Sequence, residues 1–141
     1  MDSEFYLYFD KTGIDFGLFL NNTKGEELYF KANLIEFESE IEEIFSTYKL
    51  NGKFNLLSIN KKPELVINKF NANKDLGKLS GVNHILIETG LGLETKQIYT
   101  PEIMTKIIKT YSQLYPLYCF AITSDPLHLV DSFEENMGVV T

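Results

Sequence analysis

Val82-Asn-His-Ile-Leu-Ile-Glu88, then Thr100-Pro-Glu-Ile-Met-Thr-Lys-Ile-Ile-Lys-Thr-Tyr111, then Leu117-Tyr-Cys-Phe-Ala-Ile122, form the stretch whose reading decides the fold. The first piece is rich in β-formers. The second has a helix start: a hydroxyl at the N-cap, proline at the first helical position and an acid in the first turn. Ile103, Met104, Ile107, Ile108 and Tyr111 then recur at helical spacing, with Lys106, Lys109 and Thr110 opposite. The third piece follows Pro116 and has the length of a strand buried on both faces, so the stretch reads as a right-handed strand, helix, strand crossover.

Working towards the N-terminus, Phe5, Leu7 and Phe9 alternate with Tyr6 and Tyr8, and Ile14, Phe16, Leu18 and Leu20 share one side of a second strand. Asp10-Lys-Thr-Gly13 is a hairpin turn between them, and Asn21-Asn-Thr-Lys-Gly25 reads as another, leading to a third strand through Leu28, Phe30, Ala32 and Leu34. The apolar face of this meander should lie on the core. Its second face, bearing Tyr6, Tyr8, Phe19 and Tyr29, is either covered by a helix or a protein-binding surface.

From Phe37 the period changes to that of a helix, with Ile41, Ile44, Phe45 and Tyr48 on one stripe and Asn51-Gly52 as its stop. Phe54 to Ile59 and Glu64 to Phe70 are short strands around Asn60-Lys-Lys-Pro63, and Asn73 to Leu79 is a short helix or a loop. A last helix starts near Ser124-Asp-Pro126 and runs to about Met137, where Gly138 ends it. The expectation is an α+β fold in a single domain, residues 1–141: an N-terminal antiparallel meander plus a mixed sheet, packed against two to four helices.

At 141 residues the chain can bury roughly 70 % of its unfolded surface and needs no metal or disulfide to hold a core. The lone Cys119 fits a reducing compartment or indifference to redox state. Met1-Asp-Ser-Glu runs straight into a strand pattern, which predicts a cytoplasmic protein. A net charge of −7 argues against nucleic acid and anionic membrane as partners. All thirteen bases are lysine, so the planar fork that clamps phosphate or carboxylate is missing.

No residue set commands a chemistry. In Thr89-Gly-Leu-Gly92 the glycines do not run into a helix N-terminus, as a phosphate loop requires. His84 and Glu88 share a strand face about 13 Å apart, too far for one metal without a second strand, and no cofactor is expected. Cys119 lies among apolar neighbours, where a thiol stays neutral. Lys49 to Lys78, with Phe54 and Phe70 to stack bases, could form a nucleic-acid strip, but overall acidity opposes it.

The sharpest feature is anionic: Glu36, Glu38, Glu40, Glu42 and Glu43 occupy eight residues without a lysine among them. Acids in a first helical turn are favoured by the helix dipole, yet five exceed what capping needs. With Ile41, Ile44 and Phe45 on the core side, Glu38, Glu42 and Glu43 should face solvent and steer a basic partner.

A small acidic α+β chain carrying Glu36-Phe-Glu-Ser-Glu-Ile-Glu-Glu43 resembles the immunity proteins of bacterial toxin systems, such as those of contact-dependent inhibition. The resemblance lies in size and pattern, not in a motif, and carries over no residue. It implies a cytoplasmic inhibitor that neutralises a cognate basic toxin domain by occlusion, without catalysis. The glutamates, with Tyr6, Tyr8 and Tyr29, would form the contact surface. The alternatives are a small-molecule-binding domain or small enzyme with a pocket near His84 and Glu88, and a phage-encoded inhibitor of host defence.

Overall fold

The computed structural model describes residues 3–21, 26–59, 64–79, 84–92 and 94–136. The expected turns at 22–25 and 60–63, the strand start at Val82 and the helix end at Met137 and Gly138 lie outside them. The fold is α+β. Its elements are β1 (Glu4–Asp10), β2 (Gly13–Asn21), α1 (Glu26–Glu36), α2 (Glu38–Thr47), β3 (Asn55–Ile59), β4 (Val66–Ile67), α3 (Ala72–Asp75), β5 (His84–Gly92), α4 (Glu102–Ile122) and α5 (Pro126–Asn136). Single 3₁₀ turns occupy Leu76–Leu79 and Lys96–Tyr99.

The strands form one sheet in the order β1-β2-β5-β3-β4, and each neighbouring pair is antiparallel. The β1–β2 hairpin is as its alternation predicts. Asp10 Oδ1 accepts from the backbone N–H groups of Thr12 at 2.7 Å and Gly13 at 3.2 Å, and Gly13 takes the positive φ of +149°. Ile14, Phe16, Leu18 and Leu20 of β2 are buried on one face with Ile85, Ile87 and Leu56, where the helices meet the sheet. β1 runs beyond that cover, so of its expected core residues Phe5 packs on Tyr111 and Tyr118 while Leu7 and Phe9 are exposed.

Two expected strands are helices. Leu28 to Leu34 belongs to α1, so the meander has two strands: Phe30 and Asn33 are buried, Leu34 and Phe37 partly so, and this is helical spacing. Ala32, which strand alternation would bury, is exposed. Likewise Leu117 to Ile122 continues α4 through Pro116. Buried Ile107, Thr110, Leu114, Leu117 and Ala121 keep a single helical stripe across the proline, and Cys119 and Phe120 are buried beside it. The run is apolar all round because the end of α4 packs against α1, α2 and α5 at once. The right-handed crossover and the mixed sheet therefore do not form.

α1 and α2 make one bent helical rod. Phe37 N donates to Asn33 O at 2.8 Å and Ile41 N to Phe37 O at 2.9 Å, so helical bonding nearly continues through the junction. The junction is fastened to the far end of α4. Buried Asn33 donates from Nδ2 to Phe120 O at 2.9 Å and to Thr123 O at 2.8 Å, carbonyls that the helix end leaves without partners. Phe37 packs edge-on against Phe120, ring centres 6.0 Å apart. α2 stops with Lys49 in the left-handed region at φ +56°, ahead of the expected Asn51-Gly52.

Candidate functional site: an acidic groove between two helices

The lock at Asn33 fixes where α2 lies, and the short Thr123 to Asp125 connection returns α5 alongside it. Each helix then turns a stripe of spacing i, i+3, i+4, i+7 toward the other. From α2 come Glu40, Glu43, Ile44 and Thr47; from α5 come Leu127, Val130, Asp131 and Glu134. They bound a groove of about 200 Å³. Ile44 and Val130 are buried and Leu127 half-buried, giving an apolar floor, while four carboxylates form the walls. Neither helix contains a lysine.

Tyr48 lies in the same groove. Its hydroxyl oxygen is buried beside the Glu134 carboxylate. Burial first, and then the neighbouring Glu134 carboxylate, push this phenol up to about 12.

The five clustered glutamates are thus divided. Glu40 and Glu43 line the groove, Glu38 borders a separate hollow with Leu34, Ile35 and Leu76, and Glu36 and Glu42 line neither. Glu36, Glu38 and Glu43 are exposed, and Glu40 and Glu42 are half-buried. Sequence reading missed Asp131 and Glu134. Their i, i+3 spacing was visible, but their position beside Glu40 and Glu43 depends on contacts far along the chain.

The expected contact tyrosines, Tyr6, Tyr8 and Tyr29, do not join the groove. Tyr8 is exposed on the β1 edge, and Tyr29 is exposed on α1 rather than in the sheet. Tyr6 shares a cross-strand row with Gly17 and Glu88. Across that row the Tyr6 hydroxyl donates to the Glu88 carboxylate two strands away. Glu88 is held above the usual carboxylate range by burial and by Asp15, with the Tyr6 bond opposing them.

His84 and Glu88 have different neighbours. His84 stacks on Phe19 at 5.7 Å and its Nδ1 is buried without a hydrogen bond, while Glu88 belongs to the Tyr6 row. Among the described residues, no three His, Cys, Asp or Glu side chains group as a metal site. Phe54 and Phe70 are buried in the core, so neither can stack a base as a nucleic-acid strip requires. Cys119 is fully buried, and burial pushes its thiol up to about 12.

Comparison with protein-family models, with curated proteins and with solved structures finds no match to this chain. Among the described residues no helix is long and apolar enough to cross a membrane.

Proposed function

We propose that this chain is an inhibitor of the immunity type, which binds a basic toxin domain through the α2–α5 groove and neutralises it by occlusion. The observation that carries the reading is the groove itself: four carboxylates from two helices over an apolar floor, with no lysine on either helix. An apolar floor supplies desolvated contact area, and a ring of one charge sign supplies register and a fast encounter. Lysine or arginine side chains fit both features, since the aliphatic stem can cover Leu127 and Val130 while the head meets the carboxylates.

Capture of the partner with the tagged chain, followed by binding kinetics at several salt concentrations, tests this. A basic partner is expected, with an association rate that falls as salt rises. Glu43→Lys combined with Glu134→Lys should weaken binding at least roughly tenfold, the factor for one desolvated charge pair. An acidic partner, or affinity unaffected by that double reversal, would overturn the proposal.

A further inference from the structure

A second cavity has the opposite sign. About 310 Å³ of open space lies between the N-terminal half of α4 and the sheet, and Lys53, Lys106 and Lys109 stand around it with Thr89, Thr110 and Gln113. We propose that it is a binding site for a small phosphate-bearing molecule.

Lys106, Lys109, Thr110 and Gln113 stand at i, i+3, i+4 and i+7, so they form one stripe of α4. Lys53 comes from the turn before β3 and Thr89 from β5. Three chain segments therefore converge on one mouth, and none contributes a carboxylate to its lining. In a chain of twenty acids and thirteen bases this separation is notable, because each lysine could have been neutralised by a nearby acid. None of the three forms an ion pair with a described residue, which is also true of Lys11, Lys49, Lys69 and Lys74, so what sets these three apart is their gathering at one mouth. Like charges gathered at one place repel, and an anion relieves that repulsion.

The chemistry selects the anion. Lysine is a compact, hydrated point charge that serves phosphate well without arginine's fork, and a phosphate group offers several acceptor oxygens to three ammonium groups and nearby hydroxyls. The volume is at the lower end for small-molecule sites, roughly 300 to 1,000 Å³, and exceeds what a bare phosphate fills. A polymer would have to cross a surface of net charge −7, which a small anion avoids.

Titration of ¹⁵N-labelled protein with pyrophosphate, against sodium chloride at matched ionic strength, tests the proposal. Saturable amide shifts are expected at Thr89, Lys106 and Thr110. Lys106→Gln with Lys109→Gln should raise the dissociation constant roughly tenfold, as for lost charge-assisted hydrogen bonds, while Lys74→Gln on α3 leaves it unchanged. If the double variant loses its native circular dichroism, Lys53→Gln, outside any helix, replaces it with the same expectation. Shifts that never saturate, or equal weakening by Lys74→Gln, would overturn the proposal. So would a short single-stranded oligonucleotide that binds these residues more tightly than pyrophosphate.

Discussion

Asn33→Ala removes the donor that ties the α1–α2 junction to the end of α4. Asn33 is 2 % exposed, and its amide serves two carbonyls, Phe120 O at 2.9 Å and Thr123 O at 2.8 Å. Each hydrogen bond contributes about 1 kcal/mol net, and a buried acceptor left unpaired costs about 1 to 3 kcal/mol. Phe120 is fully buried, so water cannot easily replace the lost donor there. The loss should total about 2 to 4 kcal/mol, a large share of the roughly 5 to 15 kcal/mol that holds a domain together. Urea unfolding followed by circular dichroism measures it. Asn33→Asp is the sharper control, being of the same size but aiming a carboxylate at two carbonyl oxygens. Its folded pKa must rise above the unfolded value, so its stability is greatest in acid and falls as pH rises through the folded pKa. At neutral pH it should be less stable than Asn33→Ala. If Asn33→Ala lies within about 0.5 kcal/mol of wild type, the level expected of a surface change, the lock is not a stabilising feature.

Gly17→Ala should cost about 3 kcal/mol or more in a thermal or urea melt, because the new Cβ would sit 2.0 Å from Ile87 O and 2.8 Å from Glu88 Cα, and β2 and β5 would have to part; a melt close to wild type refutes this. Glu88 has a raised folded pKa, so its contribution is present at acid pH and is lost as pH rises through that value. Glu88→Gln should therefore flatten the decline in stability with rising pH, and an unchanged slope would count against the Tyr6 row as a titrating site. Cys119, buried with its thiol pushed up to about 12, should ignore a disulfide-exchange reagent in the native protein and react with one equivalent after denaturation; rapid native labelling contradicts its placement. Glu43→Gln with Glu134→Gln should leave the free protein at least as stable as wild type in a urea melt while weakening partner binding; a loss of stability would mean these carboxylates serve the fold.

The parts of the fold that were legible are those in which a local pattern has one solution. The β1–β2 hairpin joins period-two alternation to an Asp-x-x-Gly turn, and the α2 stripe of Ile41, Ile44 and Phe45 fits only a helix. The misread parts had two solutions. Phe30, Ala32 and Leu34 alternate as a strand does, yet Phe30, Asn33, Leu34 and Phe37 also make a helical face, and distant packing decides between them. Leu117 to Ile122 is continuously apolar under either reading. Pro116 lacks the N–H of a helix interior, yet burial of the apolar run carries the helix past it. The groove was half legible for a similar reason: Glu40 and Glu43 are a local pattern, but their facing pair is brought in by α4, whose anchor to Asn33 spans 87 residues.

That facing pair also bears on why so many acids are present. Glu38 and Glu40 lie in the first turn of α2, where the helix dipole favours them by about 0.3 to 1 kcal/mol each, and fold stability alone can account for both. The dipole gives no such account of Asp131 and Glu134. The first turn of α5 holds no acid. Both also add repulsion across a groove already lined by Glu40 and Glu43, with no lysine on either helix to offset it. Acids that the α5 dipole does not account for, gathered where they face those of α2, are understandable if their compensation comes from outside the chain. A cationic partner supplies that compensation, and the same reasoning applied with the sign reversed leads from Lys53, Lys106 and Lys109 to an anion.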